Sequence, residues 1–270
     1  MRFHEILSES ISDKLPALET VYEAQWDRKP VKHYSSKEQD EIHQAEELPY
    51  DWKNQQSIWK YTGGVGAKWN DFLHRHYRGL SKGTDLKKYG KNISQVDREL
   101  ARNTFKKDYT LYTGLRESPA LAYKLYKQPT NKPLTVHLPA YTSTTTEWAV
   151  AFQFARNQGS WDPSDLSGHK ILDAHGKKIK KVSPNDGKQV PKKPEVDILR
   201  IFVPAGTTGG SVSQISMNAS HEAEILLPRG LDITISPTPH IVEQAGYRIL
   251  VWNARVVGHN PQPVEVVQKD

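Results

Sequence analysis

His221-Glu222-Ala223-Glu224-Ile225-Leu226-Leu227-Pro228 is the stretch on which the reading of this chain turns. Taken as a β-strand, it places residues two apart on one face, about 6 to 7 Å from each other along the chain. Glu222 and Glu224 then project together, while Ala223 and Ile225 go to the other face. On a solvated strand such a pair needs no explanation. Where it is even partly buried, two acids aimed at one place repel each other, and a positive or hydroxyl-rich partner is required.

Two upstream stretches supply candidates. Ala140-Tyr141-Thr142-Ser143-Thr144-Thr145-Thr146 ends a strand and N-caps a helix over 146–157. One or two hydroxyls satisfy the free N–H groups of a helix start, and this run holds five between Thr142 and Thr146. Tyr109-Thr110-Leu111-Tyr112-Thr113-Gly114-Leu115-Arg116 reads as a strand ending in a glycine and a cation. By itself Arg116 is a surface charge.

Around these pieces the pattern is that of an α+β chain. Strands are expected over 109–115, 134–138, 198–203, 222–227, 233–235 and 247–257, with a hairpin beginning at Leu172, separated by Gly and Pro breakers such as Pro204, Gly206, Pro228 and Gly230. They make a mostly antiparallel core of the C-terminal two thirds. The helix over 146–157 carries Trp148, Ala149, Phe152 and Ala155 on one face. Between 51 and 77 an apolar stripe of Ile58, Tyr61, Val65, Trp69, Phe72 and Leu73 predicts two helices. Gly63-Gly64-Val65-Gly66 between them lacks the Gly-Lys-Ser/Thr ending of a phosphate loop and is expected to be a turn. A polar helix follows near 94–107. Residues 1–50 read as short helices and an exposed arm, and 51–270 as a single domain. A polar insertion over 158–196 carries eight lysines from Lys170 to Lys193. These lysines are compatible with nucleic acid, though aromatic side chains for base stacking are nearly absent among them.

Composition narrows the classes further. In 270 residues there are 37 Lys+Arg against 31 Asp+Glu, a net +6 that favours acidic partners. The 7 Trp, 12 Tyr and 6 Phe supply enough bulky apolar surface for one core of ordinary size. No apolar run approaches the 18 or so residues of a bilayer span, and the opening MRFHEILSES turns polar too early for a secretory leader. With no Cys, disulfides, thiolate metal sites and Cys nucleophiles are excluded. His74 and His76, two apart on a helix, diverge and do not form a metal site.

In chain order, LYTGLR, YTSTT and EAE resemble the three motifs of the mono-ADP-ribosyltransferases of the Arg-Ser-Glu class, which includes clostridial-type toxins, vertebrate ecto-enzymes and enzymes of T4-like phages. That family has an aromatic-Arg pair at the end of one strand, Ser-Thr-Ser on a second and Glu-x-Glu on a third. Tyr61, Asn70 and Leu73 resemble a helical segment of the family, AFQFA follows the serine motif as in its members, and a Gly-rich loop at 205–220 precedes the acids. The resemblance runs over about residues 55–258. Two departures stand out. Thr113 follows Tyr112 where the family has arginine, the nearest one being Arg116, and Thr145 replaces the second serine, so that Ser143 holds the motif's first position.

The resemblance implies two packed, mostly antiparallel sheets forming an NAD cleft, with helices N-terminal to them. It implies NAD as substrate, without metal, and catalysis by Glu224, Glu222 and Ser143. Glu224 would stabilise the ribose cation left as nicotinamide departs, Ser143 would hold Glu224, and Glu222 would dock an acceptor arginine. Arg116 is implied as the pyrophosphate clamp, with Tyr112, Gly114, Thr144 and Thr145 beside the dinucleotide and Tyr141 and Phe152 walling the nicotinamide pocket. MRFHEILSES, with Leu7-Ser8-Glu9, resembles the N-termini of proteins packaged in T4-like phages, which implies delivery into a bacterial cytoplasm and host proteins as acceptors. NAD glycohydrolysis, transfer to a nucleic acid, and a non-catalytic virion or binding protein are the alternatives.

Overall fold

Ser35 opens the first helix, α1 (Ser36–Ala45), with a capping box. Its hydroxyl accepts from the Glu38 N–H, and the Glu38 carboxylate accepts from the Ser35 N–H, satisfying two donors that a helix start leaves open. The computed structural model describes residues 34–48, 52–115, 121, 125, 132–157, 195–216, 223–244 and 246–264, all of them in the compact unit Tyr34–Asp270. Ile42 and Leu48 are buried in its cores. Residues 34–48 belong to the same compact unit as the rest of the described chain, in the region where short helices and an exposed arm were expected over 1–50. The opening segment and Leu7-Ser8-Glu9 lie outside the described residues.

Helix α2 (Trp52–Lys60) runs through a π-helical segment (Tyr61–Val65) into α3 (Gly66–Tyr77) without a break. The glycine run is thus a widening of one helix and not the expected turn. Gly66 explains it: a Cβ there would stand 2.6 Å from the Tyr61 carbonyl oxygen and 3.0 Å from the Tyr61 ring, so only glycine lets Tyr61 fold back onto the helix. Helix α4 (Gly83–Ala101) begins well before the expected 94. Its Ile93, Val96 and Leu100, spaced three and four apart, make one wholly buried stripe.

The strands are β1 (Tyr109–Gly114), β2 (Leu134–Leu138), β3 (Thr142–Thr145), β4 (Glu195–Val203), β5 (Gly210–Ser211), β6 (Glu224–Leu227), β7 (Leu231–Ile235), β8 (His240–Gln244) and β9 (Tyr247–His259), with helix α5 (Trp148–Asn157) after β3. Hydrogen bonds join them into one sheet in the order β2-β7-β9-β4-β1-β3-β6-β5, with β8 on β9. Only β4 and β9 run parallel; the other described pairs are antiparallel.

This sheet cannot be flat. From β6 to β7 is five steps across it, about 24 Å at the usual strand spacing, yet residues 228–230 alone connect them, a reach of about 14 Å. The sheet rolls over, and its two wings enclose a core that takes Ile225 and Leu227 from one side and Val136, Ile233 and Trp252 from the other. The two packed sheets expected from the sequence are the wings of one continuous network. A second core lies outside the roll, where α2, α3 and α4 cover Ala140, Tyr141 and Leu226. Among the described residues no helix is long and apolar enough to cross a membrane.

Candidate active site

Strand β6 alternates as its composition dictates: Ile225 and Leu227 enter the inner core, Leu226 the outer one, so Glu224 shares the outer face with Leu226. Antiparallel pairing with β3 sets Glu224 directly across from Thr145 and Leu226 across from Ser143. Thr145, Ser143 and Glu224 therefore stand on one face. Directly opposed side chains have Cβ atoms about 5 Å apart and diagonal ones about 7 to 8 Å, which makes Thr145 the nearer hydroxyl and Ser143 the diagonal one. Glu224 is 7% exposed, whereas Ser143 is open to solvent.

The row continues sideways. Tyr112 on β1 pairs with Thr145 and with Arg200 on β4, and Arg200 pairs with Asn253 on β9. All are buried. Arg200 donates to Asn253 Oδ1 at 2.6 Å, and the Trp148 ring of α5 meets the Tyr112 ring edge-on at 5.6 Å. Helices α2 to α4 thus close this face at Tyr141 and Leu226, and α5 closes it at Tyr112. The strip over Ser143 stays open between them.

The backbone before Glu224 breaks the alternation. Ala223 sits at φ 42°, in the left-handed region, at a cost of about 1 to 2 kcal/mol for a residue with a Cβ. Among the described residues the strand period starts at Glu224. Glu222, His221 and Arg116 lie outside the described residues. The Glu224 carbonyl accepts from the Val212 N–H at 3.1 Å and lies 3.5 Å from Ser213 Oγ, which ties the start of β6 to the middle of the Gly-rich loop.

The family model of the ADP-ribosyltransferase exoenzymes matches residues 183–257, a span that contains Glu222 and Glu224. No curated protein sequence matches the chain. Among solved structures, the ADP-ribosyltransferase toxin Plx2a of Paenibacillus larvae is similar at 16% identity, over 82% of this chain and 94% of its own, with a TM-score of 0.54. The chain has the ADP-ribosyltransferase fold. The Clostridium limosum C3 exoenzyme (15% identity, 85% of this chain and 98% of its own, TM-score 0.50) and C3stau2 of S. aureus, solved with NAD (12% identity, 85% and 99%, TM-score 0.50), share it.

Within this ADP-ribosyltransferase fold the remaining expected site residues occupy distinct positions. Thr144 points into the roll and gives its hydroxyl to the Ile225 carbonyl at 2.6 Å, on the face opposite Glu224. Gly114 lets α5 approach: a Cβ there would stand 2.8 Å from the Ala155 nitrogen. Phe152 is buried, with its ring edge-on to Tyr247 at 5.6 Å. Tyr141, expected in a pocket wall, is enclosed in the outer core. Its ring meets Tyr61 at 5.3 Å, and its hydroxyl donates to Asp97 at 2.6 Å and lies 2.9 Å from the Ile93 carbonyl. Burial first, and then the Asp97 carboxylate, push its phenol well above the ordinary tyrosine range. Hydroxyl and ring of Tyr141 are thus both engaged with the helical layer; the strand alternation that aims it outward and the helices themselves were readable, but not that they meet.

Of two further residues beside the site, Asn70 belongs to the helical segment singled out with Tyr61 and Leu73, and His43 went unread in the sequence. Asn70 donates to the Tyr61 hydroxyl at 3.0 Å, and its Oδ1 is buried without a hydrogen-bond partner among the described residues. His43 of α1 reaches strand β5 at Ser211 and the residue just past β3, with Nδ1 2.8 Å from Ser211 Oγ and Nε2 3.4 Å from Thr146 Oγ1. Burial holds its pKa below the ordinary histidine value, against the pull of Asp40. The capping box at Ser35 was the available signal that α1 exists and that His43 is on it. Among the described residues no three His, Asp or Glu side chains gather as a metal site.

Proposed function

We propose that the protein is a mono-ADP-ribosyltransferase that splits NAD and transfers ADP-ribose to arginine side chains of other proteins. The observation that carries this reading is the buried carboxylate of Glu224, aligned with Thr145 beside the open strip over Ser143, in a chain with the ADP-ribosyltransferase fold. Breaking the bond between nicotinamide and ribose leaves positive charge at the ribose carbon. A carboxylate fixed in a dry setting stabilises that charge as it develops and needs no reorganisation. Thr145 suits the task of holding it: its Oγ1 accepts from the Glu147 N–H at 3.0 Å, and its own proton is left to donate to an acceptor-only carboxylate. Ser143, exposed on the same face, contacts the substrate.

Glu222 serves the acceptor. A guanidinium is cationic at every relevant pH and planar, so a carboxylate docks it through paired hydrogen bonds. Its nitrogen then bonds to the ribose carbon, nicotinamide leaves with the bonding electrons, and the proton lost from the guanidinium passes to Glu222. Arg116 clamps the pyrophosphate. The phage-like opening of the chain supports host bacterial proteins as acceptors and the bacterial cytoplasm as the place of action.

Incubation of the pure protein with labelled NAD and bacterial lysate tests the proposal. Protein label is expected with wild type, lost with Glu224→Ala and released by hydroxylamine, as an arginine linkage requires. Glu222→Gln is expected to abolish arginine transfer while leaving nicotinamide release. Label that persists in Glu224→Ala would overturn the assignment, and nicotinamide release without any labelled protein would point to glycohydrolysis.

A further inference from the structure

Helix α4 has two unlike sides. At 100° per residue, Ile93, Val96 and Leu100 fall together and are completely buried. On the opposite side Lys87, Lys91, Arg98 and Arg102 fall within an arc of about 60°, and at 1.5 Å per residue they extend along about 22 Å of helix. All four are exposed. Ser94 and Ala101, which flank the arc on one side, are small.

Among the described residues the stripe has no counter-charge beyond a single pair. The acids of α4 lie outside the arc, and each is engaged: Asp85 with Arg75 at 2.9 Å, Asp97 with Arg229 at 2.7 Å and Glu99 with Arg102 at 3.1 Å. Lys87 with Lys91 and Arg98 with Arg102 are like-charged pairs four apart, an arrangement that destabilises a helix where an acid at either position would stabilise it. A merely solvated face interleaves both signs, and this one does not.

We infer that this stripe binds the phosphodiester backbone of double-stranded nucleic acid, without sequence selectivity. A duplex carries one negative charge per about 1.7 Å of axis with both strands counted, so about 13 phosphates fall within a 22 Å length and the stripe finds phosphates in any register. An acidic protein offers carboxylates at discrete positions, and its interfaces centre on apolar or aromatic contacts that the stripe lacks. Single strands are held by base stacking on aromatic rings, and the arc contains none.

Fluorescence anisotropy of a labelled 20-base-pair duplex with the full chain, in the absence of NAD, tests this. With four cations engaged, affinity is expected to fall about 100-fold between 50 and 200 mM salt, equally for duplexes of unrelated sequence. Replacing Lys87, Lys91 and Arg98 together by Ala, with Arg102 kept for Glu99, should cut that fall to less than about 5-fold. The three positions are exposed, Ala favours helix and the like-charged pairs are removed, so unchanged circular dichroism and a melting temperature no lower than wild type will confirm the fold. The inference is overturned if the duplex does not bind at 50 mM salt, if the triple variant binds like wild type, if only replacement of Lys177, Lys178, Lys180 and Lys181 removes binding, or if polyglutamate displaces the duplex at lower charge concentration. No outcome involves NAD or transfer, so its failure leaves the transferase proposal untouched.

Discussion

Thr145 on β3 stands directly across from Glu224 on β6, and Ser143 stands one pair further along the same face. The nearer hydroxyl is therefore the one at the motif's altered position. Thr145→Val is expected to slow nicotinamide release about 100-fold, the usual effect of removing one donor from a reacting group, and to lower stability by about 1 kcal/mol, because the Glu147 N–H loses its acceptor. Ser143→Ala should leave stability unchanged. Initial rates of nicotinamide release and urea denaturation of both variants are the measurements; equal stability of the two would contradict the capping role given to Thr145.

Asp97 binds together three parts of the chain. Arg229, in the short link between β6 and β7, reaches it through Nε and Nη2 at 2.7 to 3.0 Å and also donates to the Gln262 carbonyl, while Tyr141 donates to it from beside β3. Asp97→Asn leaves the nearly buried Arg229 cation without its carboxylate, a loss of about 3 kcal/mol. The check is the shift in urea midpoint at constant slope. Tyr141→Phe removes one hydrogen bond only and should cost about 1 kcal/mol.

Gly114→Ala is expected to act through packing. The added methyl meets the backbone of α5 at Ala155, and backbone does not yield as a flexible side chain does, so a loss of about 1 to 3 kcal/mol follows. A thermal melt will show it, and an unchanged melting temperature would mean that α5 shifts freely on β1.

Acid should weaken the fold in a defined window. Burial holds His43 and His74 below the ordinary value of 6.5, with Arg78 adding to the effect at His74. The unfolded chain takes up these protons near 6.5 and the folded chain does so only at lower pH, so stability is full above 6.5 and declines as pH falls below it. Urea denaturation at pH 7.5, 6.5 and 5.5 should show the decline, and His43→Gln should reduce it. A variant as acid-sensitive as wild type would exclude His43 as a source.

The sequence by itself determined the class of the fold and the positions of β1, β2, β4, β6, β7 and β9, because strand alternation, Gly and Pro breaks and helical stripes are local properties, written within a few residues. It likewise singled out Glu224 and the hydroxyl run. Elements without a local signature stayed hidden: β5 has two residues, and β8 is an edge strand that is largely exposed and shows no alternating burial. Only tertiary structure decided what Tyr141 packs against, since the helices that enclose it come from far upstream. It alone decided which hydroxyl faces Glu224. Register between strands distant in the chain is set by the roll of the whole sheet, and a shift of one residue would exchange the inner and outer faces of β3.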